Sequence, residues 1–327
     1  MTVLADEIIR AAALLRAGGV VAFPTETVYG LGADATNPEA VRHVFAIKGR
    51  PADHPLIVHL ATAEWLEEWA RDIPTAARLL AETFWPGPLT LVLPRQPWVP
   101  DAVTGGQDSV ALRTPEHPVA LQLIAASGAL AAPSANRFGR VSPTTAQHVR
   151  DELGFKVSMI LDGGPCRVGV ESTIVSLLHG KVVLLRPGGL SVAVLEGTLN
   201  QKILLALPTV HKVRVPGTLV SHYAPATPLE IHPVDALWRR ALQLAWQGCK
   251  VAVLKLCDDG ECFDSSAIMT FYMPTLAGEY GRVLYATLHR LDQAGLHVLL
   301  VETPPDTPEW LAVRDRLARA ARNLHKK

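Results

Sequence analysis

Lys48-Gly49-Arg50-Pro51 sets two cations one glycine apart, and Arg113 and Arg186 each close an apolar strand-like run. Cations spread through the chain in this way suit phosphoryl or nucleotidyl transfer. That chemistry rests on positioning and charge neutralisation and needs no protein nucleophile. A guanidinium at a strand end can also hold a carboxylate by two parallel hydrogen bonds. Around these cations stand hydroxyl-rich, small-residue segments: Thr25-Glu26-Thr27-Val28-Tyr29-Gly30-Leu31-Gly32, Pro133-Ser134-Ala135-Asn136 and Ser142-Pro143-Thr144-Thr145. The last caps a helix whose first N–H groups favour an anion. Each segment alone also reads as a tight turn, a surface arginine or an ordinary cap; the set points to a polar ligand held beside a polyphosphate.

Several familiar sites are excluded. Gly164 and Gly169 have P-loop spacing, but Val170 and Glu171 stand where Lys and Ser or Thr are required. Gly30-Leu31-Gly32-Ala33-Asp34-Ala35 fits a dinucleotide fingerprint, with Asp53 placed as its ribose acceptor. The stretch Pro24 to Tyr29, however, separates the preceding strand from the first glycine, so the turn is not tight. His54 and His59 lack a third ligand at metal-binding spacing, and no G-x-S-x-G elbow occurs. The 4 cysteines form no CxxC pair, which fits reduced thiols in a cytoplasmic protein. Lys+Arg and Asp+Glu are equal at 31, so any anion site must be a local cluster, and no global charge favours nucleic acid or membrane. The first apolar stretch carries Asp6, Glu7, Arg10 and Arg16 and reads as a helix, not a signal peptide. The run from Val119 to Pro133 is too short to span a bilayer.

The elements that must position these residues follow from periodicity. Strands are expected at Val20–Phe23, Leu56–Leu60, Leu89–Leu93, Ser109–Leu112, Gly128–Ala131, Met159–Leu161, Ser172–Ser176 and Val182–Leu185. Helices are expected at Pro38–Ile47 (capped by Asn37), Ala63–Ala70, Pro74–Glu82, Pro118–Ala126 and Thr144–Glu152. Several strands adjoin without a helix between them. That predicts an α/β domain of α+β character, with a mixed twisted sheet and a deep cleft, over residues 1–190. Residues 191–228 form an extended linker. A smaller, Rossmann-like α/β domain with a parallel sheet fills 229–327 and closes on an Arg-rich helix from Leu311 to Leu324.

Taken in order, Pro24 to Leu31, Lys48-Gly49-Arg50-Pro51, Trp85-Pro86-Gly87-Pro88-Leu89-Thr90, Arg113, Pro133-Ser134-Ala135-Asn136, Glu171-Ser172-Thr173 and Arg186-Pro187-Gly188 closely resemble the YrdC family of L-threonylcarbamoyladenylate synthases. The match spans about residues 5 to 190, and Ser221-His222-Tyr223-Ala224-Pro225 is similar to the linker of the long, two-domain form. Thr307-Pro308-Glu309-Trp310-Leu311 departs from that form, which usually carries glycines there. The resemblance implies a nucleotidyltransferase. L-threonine, bicarbonate or CO₂, and ATP would give threonylcarbamoyl-AMP and pyrophosphate, for threonylcarbamoyladenosine formation in tRNA by separate transfer proteins. It implies L-threonine contacts from Thr27, His59, Arg113, Ala132 and Ser172. It implies ATP contacts from Lys48, Arg50, His54, Ser109, Ser134, Asn136, Ser142, Arg186 and His222, with Lys48 and Arg50 catalytic. Mg²⁺ would enter with ATP and need no dedicated protein ligands. The linker bearing His222 and Tyr223 would close over the cleft as a lid, because the carbamate is labile in water. The implied setting is cytoplasmic, with no membrane contact and at most a weak RNA contact. Two other readings are a carbamoyl-transfer enzyme of hydrogenase maturation, whose CxxC pairs this chain lacks, and a double-stranded RNA-binding or ribosome-assembly factor using a basic concave face. Pyrophosphate release that needs threonine and bicarbonate together separates the synthase from the RNA binder.

Overall fold

The computed structural model describes residues 5–206, 213–217, 222–256 and 265–321; Ser221, Cys257, Cys262 and the end of the expected closing helix lie outside them. The chain divides into two units, one of Met1–Phe138 with Ser142–Thr218 and one of Gly139–Val141 with Leu219–Lys327.

In the first unit the strands are β1 (Val21–Phe23), β2 (Gly30–Asp34), β3 (Ile57–His59), β4 (Leu89–Pro94), β5 (Ser109–Arg113), β6 (Leu130–Ala131), β7 (Met159–Ile160), β8 (Thr173–Ser176), β9 (Val183–Arg186) and β10 (Leu204–Leu205). Among the described residues they form one 10-stranded sheet in the order β10-β9-β8-β4-β5-β3-β6-β2-β1-β7. The sheet is mixed: β3 pairs with β5 in parallel, while β4 runs antiparallel to β5 and parallel to β8. One cluster joins Ile8, Ala11, Ala12 and Leu15 of helix Ala5–Arg16 and Ala120, Leu123 and Ile124 of helix Pro118–Ser127 to Val21, Phe23 and Leu130. Another joins Val44 and Ile47 of helix Pro38–Lys48 and Val149 and Leu153 of helix Ala146–Leu153 to Val20, Ala22, Leu31 and Ala33. Alternate strand side chains go to opposite faces, so the sheet is sandwiched between these helix pairs.

Helix Pro38–Lys48 shows how local chemistry ends an element where it is needed. The Asn37 side chain accepts the N–H groups of Glu39 and Ala40, and Gly49 closes the other end at φ +63°, leaving Lys48 in the last turn. The glycine-bearing loop expected up to Gly32 is only half loop, because Gly30–Asp34 is strand β2. A Cβ on Gly32 would stand 2.7 Å from the Phe23 ring, so this glycine admits an aromatic ring from the neighbouring strand.

The second unit holds a wholly parallel sheet of β11 (Leu229–His232), β12 (Val251–Lys255), β13 (Ile268–Tyr272) and β14 (Val298–Glu302), ordered β11-β14-β12-β13. Leu237, Trp238, Ala241 and Leu244 of helix Val234–Trp246 pack on Val251, Val253, Ile268 and Leu300.

Candidate active site

The register of the central strands gathers the expected residues on one face. His59 of β3 lies beside Arg113 of β5, and Ile57 beside Ala111. Strand alternation puts Ser109, Ala111 and Arg113 on the side that also carries Ile57 and His59. The pairings Val92 with Ala111, Thr90 with Ile174 and Ile174 with Arg186 extend that face across β4, β8 and β9. Its middle is apolar, since Ile57, Val92, Ala111 and Ile174 cluster with Val215. The strand ends bearing His59, Arg113, Ser172 and Arg186 lie together. Ser109 stands at the other end of β5, about 13 Å away at strand rise.

Arg113 is held on three sides. Its Nε donates to the Gly87 carbonyl at 3.1 Å, Nη1 to Thr27 Oγ1 at 3.0 Å and Nη2 to Glu26 Oε1 at 2.5 Å. Gly87 has to be glycine, because a Cβ there would meet the Phe84 carbonyl oxygen at 2.3 Å. Thr27 Oγ1 lies 2.8 Å from Thr25 Oγ1, and the second oxygen of Glu26 accepts the Glu116 N–H at 3.1 Å. Glu26 is not among the residues expected from sequence, although it is a lone carboxylate between two hydroxyls in Thr25-Glu26-Thr27.

His59 is fully buried, and its Nδ1 makes no hydrogen bond within the described structure. Burial, and then the positive charge of Arg113, push its pKa from 6.5 to about 3, so the imidazole is neutral at physiological pH. Ser172 Oγ lies 2.7 Å from Thr90 Oγ1, and the Ser172 carbonyl accepts Nη2 of Arg186 at 2.8 Å. Arg186 Nη1 reaches the Pro216 carbonyl at 2.9 Å, which lays residues 213–217 across the sheet face. Arg214 ties the same segment to Asp53 at 3.1 Å and to the Gly105 carbonyl at 2.7 Å. Ser142 Oγ donates to Glu171 Oε1 at 2.6 Å, a second carboxylate outside the expected site residues.

Lys48 is buried and turned inward. Its ammonium donates to the carbonyls of Ser134 at 2.6 Å and Asn136 at 2.5 Å, with Asn136 Oδ1 at 3.5 Å. Burial, then the charge of Arg50, press its pKa well below the ordinary lysine range, while Glu152 pulls the other way. Three acceptors matched to three N–H donors favour the charged form. Arg50 Nη2 donates to the Pro55 carbonyl at 2.8 Å, and His54 lies 5.6 Å from the Phe138 ring. Partial burial, then Arg50, lower the pKa of His54. The Ala132 N–H bonds the Ile57 carbonyl at 3.0 Å, bringing the segment leading to Ser134 against β3. Lys48, Ser134 and Asn136 thus form one group and His59, Arg113, Ser172 and Arg186 another.

His222 belongs to the second unit. There its ring meets Tyr223 edge-on at 4.1 Å, Tyr223 stacks on Tyr285, and the Arg316 guanidinium lies 4.9 Å from the Tyr223 ring. Among the described residues no group of three or more His, Cys, Asp or Glu is placed to hold a metal ion, and no helix is long and apolar enough to cross a membrane.

The comparisons with known proteins agree across both units. The family model Sua5_yciO_yrdC, described as "Telomere recombination", matches residues 13–188. The model for the "Threonylcarbamoyl-AMP synthase, C-terminal domain" matches residues 190–322. The chain is 43% identical to the threonylcarbamoyl-AMP synthase of Pyrococcus abyssi over 321 residues, covering 95% of this chain and 93% of that one. It is 40% identical to the Bacillus subtilis enzyme of the same name, covering 96% and 93%. The crystal structure of Pyrococcus abyssi Sua5 complexed with L-threonine superposes with a TM-score of 0.87 at 42% identity, over 96% of this chain and 94% of that one. The chain is therefore a member of the threonylcarbamoyl-AMP synthase family, in its two-domain form.

Proposed function

We infer that the protein joins L-threonine, bicarbonate or CO₂, and ATP into threonylcarbamoyl-AMP with release of pyrophosphate. The observation that carries this reading is the pairing of His59 with Arg113 at one strand end, where a buried guanidinium stands beside a neutral imidazole whose Nδ1 makes no hydrogen bond among the described residues. Arg113 supplies the carboxylate contact. His59 and Thr27 suit the threonine hydroxyl, and Ser172 and the Ala132 backbone complete the subsite. The threonine ammonium first gives up a proton to water; the neutral amine then attacks carbon dioxide, forming the C–N bond as one C=O π pair moves to oxygen, and a second proton leaves to water. The resulting carbamate oxygen attacks the α-phosphorus of ATP, and pyrophosphate leaves. Arg50, Lys48 and Arg186 counter the charge that grows on the phosphoryl oxygens and leaving group, and Asn136, Ser134, Ser142, Ser109 and His54 fill out the nucleotide side. Mg²⁺ would arrive on the triphosphate with water in its remaining positions. The hard oxygens of Ser142 and Glu171, 2.6 Å apart, suit such a hydrated ion. The product, labile in water, would pass in the cytoplasm to transfer proteins that modify tRNA.

The linker closes the reaction off from water in the same reading. Val215 already packs on Ile57, Val92, Ala111 and Ile174, and Pro216 receives Arg186, so this segment must yield or reshape when substrates enter. Replacing Val215 with Ser should raise the KM for substrates and the share of ATP hydrolysed without product; unchanged values for both would count against a lid. The central experiment incubates the protein with ATP, Mg²⁺, L-threonine and labelled bicarbonate. A labelled adenylate, with pyrophosphate released only when threonine and bicarbonate are both present, is the expected outcome. Pyrophosphate release indifferent to threonine would defeat the assignment.

A further inference from the structure

Glu26 and Arg113 are 2% and 3% exposed, so neither charge is relieved by solvent. Both oxygens of Glu26 are engaged, Oε1 by Arg113 Nη2 at 2.5 Å and Oε2 by the Glu116 N–H at 3.1 Å. The carboxylate therefore cannot swing aside when a ligand arrives. Of the guanidinium's five N–H donors, three serve Gly87, Thr27 and Glu26, leaving one on each terminal nitrogen for an incoming carboxylate. The buried pair is electrically neutral before any ligand binds. A ligand bearing only a carboxylate would bring a second negative charge beside one cation, and burying that excess charge is costly. A zwitterion brings its own positive charge and leaves the subsite balanced.

We propose that Glu26 is the positioning and specificity-determining residue of the amino-acid subsite: it fixes the Arg113 fork and cancels its charge, so that the site takes a zwitterionic amino acid and rejects a carboxylate that lacks the amine. This rests on the reading of L-threonine as substrate. A purely structural Glu26 would affect all ligands of Arg113 alike, whereas a charge-balancing Glu26 changes their ratio.

The test compares calorimetric binding of L-threonine and (R)-3-hydroxybutanoate, which keeps the carboxylate and hydroxyl but lacks the amine, to the full chain and to Glu26→Gln and Glu26→Asp, with ATP binding as the measure of an intact site. Wild type should prefer L-threonine by at least about 30-fold. In Glu26→Gln the preference should fall to within about 3-fold, chiefly through tighter binding of the amine-free acid relative to threonine. Glu26→Asp, which keeps the charge, should preserve the preference even where both ligands bind more weakly. Equal weakening of both ligands in Glu26→Gln, or loss of preference in Glu26→Asp, overturns the proposal and leaves the synthase reading standing. If Glu26→Gln does not fold, the wild-type and Glu26→Asp ratios decide, and a wild-type ratio near one overturns it. Absence of any L-threonine binding to wild type would overturn the synthase reading and this proposal together.

Discussion

Arg113 and Lys48 are both buried cations in the same unit, yet their surroundings differ in kind. Arg113 faces a full negative charge, Glu26 at 2.5 Å, plus a carbonyl and a hydroxyl. The Lys48 ammonium donates to carbonyl and amide oxygens, those of Ser134 and Asn136. Dipoles solvate a cation without cancelling it, whereas a carboxylate does both. The Arg113 charge is therefore countered by a carboxylate in direct contact, whereas the Lys48 ammonium is met in direct contact by oxygen dipoles, with Glu152 acting on it at longer range. Under the proposed function, that difference suits an overall neutral amino acid beside Arg113 and an anionic triphosphate beside Lys48, in a chain with no net charge.

The largest expected effect breaks the ion pair. Arg113→Gln leaves Glu26 buried without its cation and should cost about 3–5 kcal/mol of stability along with threonine dependence. The double variant Glu26→Gln/Arg113→Gln should recover most of that loss in urea unfolding, without recovering activity. Additive losses would show that the two charges are not coupled. Next comes Lys48→Met, which keeps the stem but strips donors from two buried carbonyls, at about 1–3 kcal/mol each. Its KM for ATP should rise at least about 10-fold while that for threonine changes less than about 3-fold. The opposite split would invert the assignment of the two ends.

His59 sharpens the comparison through pH. In the native state it stays neutral down to about 3, whereas an unfolded histidine titrates near 6.5. Between those values the unfolded chain binds one more proton, so stability falls on acidification by up to about 1.4 kcal/mol per pH unit. His59→Gln should remove that one-proton slope from unfolding curves taken between about pH 4 and 6. An unchanged slope would mean the imidazole is not held neutral beside Arg113. The smallest effect belongs to the exposed pair of Arg214 and Asp53, 46% and 64% exposed. Asp53→Asn should cost under about 1 kcal/mol, and less in salt.

Much of this was readable beforehand. The apolar runs that became β3, β4, β5, β8 and β9, and the Asn37 cap that delivers Lys48 to a helix end, are encoded within a few neighbouring residues. Strand β2 was missed because its glycines mimic a nucleotide fingerprint, and their true reason, the Phe23 ring across the hairpin, lies on another strand. Glu26 and Arg113 are 87 positions apart and Ser142 and Glu171 are 29 apart, and neither separation carries a periodic signal.

By itself the amino-acid sequence determined which residue types were available, where most strands and helices lie, and through its ordered motifs which family the chain joins. Only the tertiary structure decided that Arg113 meets a carboxylate while Lys48 meets carbonyl and amide oxygens, that the strand end bearing Arg113 also carries His59, and that His222 packs within the other unit. The reason is physical: capping and strand alternation are local properties, while the charge a buried group meets depends on sheet order and register, which bring distant segments together.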